Sequence, residues 1–151
     1  MDFTTRGFSR ILVAVDGSES SMDAADYAID MAKMYNAHLT TLTVSHISMS
    51  SYGLAGLPDS IKLSKEKHAL ESKQWFDKLN QRAKQNDVQL KIELIDSQMS
   101  VDGTIAEYAE SHDIDLIILG TRGRSGFKRL LLGSVASGVV NYATCPVMVV
   151  K

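Results

Sequence analysis

The chain alternates between two hydrophobic patterns, short continuous apolar runs and longer stretches with apolar residues at helical spacing. Ile11-Leu12-Val13-Ala14-Val15 is an unbroken run rich in β-branched residues, the mark of a strand covered on both faces. It ends in Asp16-Gly17-Ser18, a turn and helix-start signal, and Ser20 with Asp23 approximates a capping box. Ala25, Ala28, Ile29 and Ala32 then predict a helix to about Tyr35, broken at Asn36-Ala37. His38 to Val44 reads as a second strand. Ser60 to Asn86 reads as a long helix with the stripe Ala69, Phe76, Leu79 and Ala83, and Trp75 packs at its edge. Leu90 to Ile95 alternates as a third strand, and Asp115 to Leu119 is a fourth. Between them Val101-Asp102-Gly103 opens a short helix, with Asp102 as its N-cap and Ile105, Ala106 and Ala109 inward. Gly133-Ser134 opens a last helix with Val135, Val139, Val140 and Ala143 on its buried side, and Pro146 precedes the final strand, Val147 to Val150.

Five strands joined by four helical connections predict an α/β fold, a parallel sheet with helices on both faces. At 151 residues the chain reads as a single domain, 1–151, with an ordered core from about residue 8. Ligands of such folds sit beyond the carboxyl ends of the strands, where the strand order reverses. The first strand ends at Asp16 and the fourth at Gly120. If those strands are neighbours, Asp16 and the segment after Gly120 face one crevice. The loop from Ile47 to Asp59, with Met49, Tyr52, Gly53, Gly56 and Pro58, is long enough for a lid and equally suits a mobile surface segment.

Charge sharpens this picture where composition does not. With 44% hydrophobic and 23% charged residues the chain is an ordinary globular sequence, and a net charge of -2 carries no global signature of nucleic-acid binding. The charge is uneven, however. Residues 116–151 hold five basic groups and no acid, which leaves the first 115 residues at -7. That asymmetry points to a local anionic ligand, against the alternative of chance clustering on a solvated face. The single cysteine, Cys145, cannot form an intramolecular disulfide, which predicts a reducing compartment and a small buried thiol. No secretory leader and no bilayer-length apolar run is present, so the expected location is cytoplasmic, with neither membrane nor nucleic acid as partner.

The candidate chemistry lies between Gly120 and Ala143. No Gly-x4-Gly-Lys-[Ser/Thr] occurs, and no Gly-x-Gly-x-x-Gly follows the first strand. What stands there is Gly120-x2-Gly123-x9-Gly133-Ser134, with Arg122, Arg124, Lys128 and Arg129 in between. Gly120 and Gly123 allow close backbone approach to a ligand and positive φ. Gly133 and Ser134 offer N–H groups and a hydroxyl at a helix start, where the dipole favours negative charge. The nine intervening residues are enough to leave the strand, pass around phosphates and return. A carboxylate at Asp16 suits a ribose hydroxyl pair. His38, His68 and His112 show no metal spacing, and His46 reads as a hydrogen-bonded structural residue.

These residues resemble the ATP-binding branch of the universal stress protein family. The Gly120, Gly123, Gly133-Ser134 spacing is similar to its nucleotide motif, Ile11 to Ser18 to its first strand and turn, and Cys145 to Val150 to its last strand. The resemblance runs from about Phe8 to Lys151. It implies a sheet in the order 3-2-1-4-5, of the adenine nucleotide alpha-hydrolase-like kind. It also implies adenine against the backbone of Ala14, Val15 and Val44, ribose at Asp16 and Gly120, and phosphates at Gly123, Gly133, Ser134 and Val135. Arg122 and Arg124 are added as phosphate partners on their charge. ATP is the implied ligand, with Mg2+ held by its phosphates, and a homodimer through the edge strand Val147–Val150 is the implied assembly. That edge is an open template for pairing.

The function expected is that of a nucleotide-dependent regulatory or stress-response protein. The alternative is a slow ATPase or adenylyl-transfer enzyme of similar fold. Hydrolysis needs a group to orient the attacking water, and Asp16, the one candidate, has a better use at the ribose. The sequence therefore points to binding, with at most weak hydrolysis. A third reading, the family's non-nucleotide branch, conflicts with the complete glycine set.

Overall fold

A computed structural model describes residues 7–46, 59–121 and 132–151 of the chain. In chain order the elements are β1 (Arg10–Ala14), α1 (Glu19–Tyr35), β2 (His38–His46), α2 (Asp59–Gln85), β3 (Leu90–Ser97), α3 (Val101–Ser111), β4 (Leu116–Gly120), α4 (Ser134–Tyr142) and β5 (Val147–Val150). The five strands form one sheet in the order β3-β2-β1-β4-β5, and every neighbouring pair is parallel. β1 lies at the centre, with Ile11 opposite both Leu39 of β2 and Leu116 of β4. The strand order therefore reverses at the β1–β4 boundary, the position the sequence pattern favoured for a ligand.

The unbroken apolar run of β1 divides between two cores. Ile11, Val13 and Val15 face Ala24, Ala25, Ala28, Ile29 and Ala32 of α1 and Leu79 and Ala83 of α2. Leu12 faces the other way, joining Leu42, Ile117 and Leu119 against Ile105, Tyr108 and Ala109 of α3 and Ala136 and Val139 of α4. Helices thus cover both faces, which is why β1 and β4 carry no polar alternation.

The helix ends follow local chemistry, with several shifts from the sequence reading. α1 is capped by Ser18, whose Oγ accepts the Ser21 N–H at 3.2 Å, so the cap lies two residues before Ser20 and the expected box with Asp23 is not formed. α3 is capped by Ser100, whose Oγ accepts the Gly103 N–H at 3.3 Å. Asp102 is therefore not the N-cap. It sits in the first turn, where a negative charge suits the dipole, and it packs on Gly138 of α4. The turns that end α1, α2 and α3 place Asn36, Asp87 and Asp113 at φ near +54°, with values of 53, 55 and 54°. Asn and Asp tolerate this conformation through local hydrogen bonding.

Two predicted stripes also change. Among the described side chains of α2 the buried ones are Ser72, Phe76, Leu79 and Ala83, whereas Ala69 is exposed. A helix of 27 residues is about 40 Å long and outruns the strands it covers, so its first half has less sheet to pack on. In α4 the buried residues are Ala136, Gly138 and Val139, whereas Val135 and Val140 are 37% and 47% exposed. The inward row is Ala136, Val139 and Ala143, and small residues on it let α3 approach closely. Ala106 of α3 is half-buried rather than inward. Of the expected loop from Ile47 to Asp59, Asp59 opens α2 and residues 47–58, with the lid or surface-segment reading, lie outside the described residues.

Candidate functional site

A cavity opens at the ends of β1 and β4. On the β1 side, the Val15 N–H donates to the Leu42 carbonyl at 2.9 Å, and the Thr43 hydroxyl donates to the Val15 carbonyl at 2.9 Å. The chain then turns through Gly17, whose φ is 82°, the positive-φ glycine among the described residues. Inside this turn the Asp16 N–H donates to Ser21 Oγ at 3.3 Å, and Asp16 Oδ1 accepts the Ser18 N–H at 2.9 Å. The carboxylate of Asp16 is therefore aimed by the first turn of α1.

On the β4 side, the Thr121 N–H donates to the Val150 carbonyl at 3.0 Å, and the Thr121 carbonyl accepts the Gly133 N–H at 2.7 Å. Thr121 and Gly133, which lie on either side of the basic residues of the glycine segment, are thus joined by a backbone hydrogen bond. Gly133 is the N-cap of α4, at φ -66° and ψ 164°, and the helix has no side-chain cap hydrogen bond. No acid lies in its first turn.

Between these two walls is a cavity of about 280 Å³. Its apolar walls come from Ala14, Val15, Leu42, Val44, Val101, Ile105 and Leu119, its polar side from Asp16 and Ser21, and its far end from Gly120, Thr121 and the α4 start, Gly133, Ser134, Val135 and Ala136. The volume is near the lower end for small-molecule sites, which are mostly apolar with a few placed polar groups. In a strand the N–H and C=O of one residue point the same way, and this direction alternates along the chain. Since Leu42 turns its backbone toward β1, Val44 does so too, beyond the point where β1 has ended at Ala14. Val44 therefore presents one donor and one acceptor edge-on at the cavity.

Eight of the residues named from the sequence line this one cavity: Ala14, Val15, Asp16, Val44, Gly120, Gly133, Ser134 and Val135. Arg122, Gly123 and Arg124 lie outside the described residues. Two of the reasons given for glycines change. Gly120 does not need its freedom for positive φ; a Cβ there would lie 2.4 Å from Ser20 Oγ and 2.7 Å from the Ser20 carbonyl oxygen, so its bareness lets α1 sit against β4. Gly133, expected to offer its N–H to a ligand, donates it to the Thr121 carbonyl instead, and its backbone is extended, which any residue adopts. The N–H of Val15 is already engaged by Leu42, which leaves Val44 as the better-presented backbone edge. Ser21, Leu42, Leu119, Thr121, Ala136, Val101 and Ile105 were missed. The i, i+4 spacing of Val101 and Ile105 at the start of α3 was a signal for the last two.

Other chemistry is sparse. Among the described residues, no three His, Cys, Asp or Glu side chains gather where a metal could be held. Cys145 is half-buried, and burial, the largest influence, raises its thiol above the ordinary range. It is a poor nucleophile there. No described helix is long and apolar enough to cross a membrane.

A parallel sheet with a cleft at its central reversal, a carboxylate turn on one wall and a helix start without a side-chain cap on the other is the architecture of the doubly wound class. The chain belongs to the universal stress protein family, whose model matches residues 7–151. It is 35% identical over 146 residues to universal stress protein MJ0531 of Methanocaldococcus jannaschii, covering 95% of this chain and 82% of that protein. Among solved structures it is similar to universal stress protein UspA from Lactobacillus plantarum, at 31% identity and TM-score 0.76, covering 97% and 100% of the two chains. The same fold is found in a universal stress protein solved in complex with cAMP, at 24% identity and TM-score 0.72, covering 97% and 99%.

Proposed function

We propose that this chain binds an adenine nucleotide, ATP in its working state, and acts as a nucleotide-dependent regulatory protein. The observation that carries the reading is the start of α4, which opens on the cavity with no side-chain cap and no acid while Asp16 faces it across the same space. Adenine fits the apolar slot, with the Val44 N–H donating to its ring nitrogen and the Val44 carbonyl accepting from its amino group. Asp16 takes the ribose hydroxyls as an ionised acceptor. The N–H groups of Ser134 and Val135 and the Ser134 hydroxyl take phosphate oxygens, which suits both the dipole and the bare donors. Gly123, Arg122 and Arg124 complete the phosphate side from the loop, and Mg2+ arrives with the phosphates, since that ion keeps waters and needs few protein ligands. The cAMP held by a protein of the same fold supports adenine as the base.

β5 lies at one edge of the sheet, and among the described residues β4 is its pairing partner. A second copy added along Val147–Val150 extends the sheet and removes that edge, which supports a homodimer. The expected compartment is the cytoplasm. The test is to denature the purified protein and identify any released nucleotide by mass spectrometry, beside Gly133→Val. The wild-type chain should release an adenine nucleotide or bind added ATP, and the variant should do neither. A wild-type chain that neither releases nor binds one overturns the reading, as does a variant that matches the wild type.

A further inference from the structure

We propose that Trp75 of α2 is a positioning residue for the nucleotide site, holding the Asp16 turn in its binding geometry from the side away from the ligand. The proposal rests on the reading of Asp16 as the sugar-binding group. It stands on a contact that neither the stripe of α2 nor the glycine motif explains. A Cβ on Gly17 would lie 1.8 Å from Cζ2, 2.1 Å from Cη2 and 2.3 Å from Cε2 of Trp75. No two non-bonded atoms approach so closely, so the indole fills the volume that a side chain at position 17 would occupy. Gly17 is also the residue that carries the turn through positive φ, between Asp16 on the cavity wall and Ser18 at the α1 cap.

The two sides of the turn are therefore held by different parts of the chain. Inside, Ser21 Oγ accepts the Asp16 N–H and the Ser18 N–H donates to the Asp16 carboxylate. Outside, the wall is the ring of a residue 58 positions further along, delivered by a helix whose own anchorage is Phe76, Leu79 and Ala83. A glycine at positive φ is the backbone position with the most freedom to lose, so a rigid ring against it removes alternative turn conformations before a ligand arrives. A first contact group is only as well placed as the shell that supports it. Trp75 acts through Asp16 and touches no ligand in this account.

The experiment measures AMP and free adenine binding to the wild type, Trp75→Ala, Trp75→Phe and Asp16→Ala, by calorimetry with competition for the weaker ligand. Thermal melts by circular dichroism accompany each variant. Trp75→Ala should weaken AMP binding roughly three- to tenfold, the scale of ordering one side chain before binding, and leave adenine within about twofold. Trp75→Phe, which keeps one ring against Gly17, should recover most of the AMP affinity. Because Trp75 is the single tryptophan, wild-type emission should also shift on AMP addition, and the shift should vanish in Asp16→Ala. Unchanged AMP affinity in Trp75→Ala overturns the proposal, and so does an equal loss for AMP and adenine, the mark of a merely structural role. If Trp75→Ala does not fold, Trp75→Phe and the wild-type emission decide, and an emission indifferent to bound AMP overturns it. Asp16→Ala binding AMP as tightly as the wild type overturns instead the sugar-binding reading beneath it.

Discussion

Two helices, α1 and α4, begin at the same cavity and do so by opposite means. α1 is provided for by its own chain. Ser18 Oγ accepts the Ser21 N–H, Ser21 Oγ donates to the Ser18 carbonyl at 2.9 Å, and Glu19 adds a negative charge to the first turn. α4 starts on Gly133, with neither a side-chain cap nor an acid, in a segment where residues 116–151 contain no carboxylate side chain. The dipole and the surplus of N–H groups are common to both helices. What differs is who satisfies them. At α1 the chain's own side chains satisfy them, whereas at α4 no side chain caps the start. A helix N-terminus alone is thus no indication of a site; the proposed one rests on a start without a side-chain cap that lines the same cavity as a carboxylate.

The sharpest way to break this contrast is to give α4 the cap it lacks. Gly133 is in extended backbone, so Gly133→Asp introduces a carboxylate there without strain. Replacing a glycine cap by Asp changes helix stability by only a few tenths of a kcal/mol. Nucleotide affinity should fall at least ~100-fold, because the new carboxylate takes the donors and repels the phosphates. Calorimetry with AMP, paired with a urea melt, separates the two effects. Affinity equal to the wild type in a normally stable variant would remove α4 from the site.

The next largest effect is on the α1 side, at the turn that aims Asp16. Gly17→Ala places a Cβ against the Trp75 ring and forces positive φ on a residue that resists it. A loss of about 2 kcal/mol in unfolding free energy is expected. In a Trp75→Ala background the steric part should disappear and about 1 kcal/mol of backbone strain remain. An undiminished cost in that background would show that the indole is not what confines the turn.

Much of this was legible in the sequence, for identifiable reasons. The strands announced themselves because β1 and β4 are buried on both faces, so Ile11 to Ala14 and Leu116 to Leu119 carry no polar residue. Parallel order followed from the alternation of strands with helices, and the resemblance supplied the 3-2-1-4-5 arrangement that brings Asp16 to Gly120. What was not legible depends on long-range contact. Gly120 looked like a glycine bared for the approach of a ligand, yet its missing Cβ makes room for Ser20, a residue one hundred positions earlier. Gly17 looked like punctuation, and its partner is Trp75 on a helix whose periodicity speaks only of its own stripe. The Asp102 cap was misread because the helix already begins at Val101, so that Ser100 is the flanking residue whose side chain reaches the Gly103 N–H and Asp102 falls in the first turn. Patterns reveal which face of an element is buried, but not which residue of a distant element fills a glycine.

The mildest test mirrors the first. Ser18→Ala removes the cap of α1 and should lower unfolding free energy by about 1 kcal/mol, whereas Ser18→Gly should cost only a few tenths. Affinity for AMP should fall only slightly at either, because the Asp16 N–H retains its bond to Ser21 Oγ and the Ser18 N–H that orients the carboxylate belongs to the backbone. Set beside Gly133→Asp, the two substitutions form a crossed pair: one changes stability and spares binding, the other changes binding and spares stability. Equilibrium urea unfolding and AMP calorimetry on the same samples read both axes. If Ser18→Ala instead abolished binding, the cap of α1 would itself be part of the anion site, and the division of labour between the two helix starts would fail.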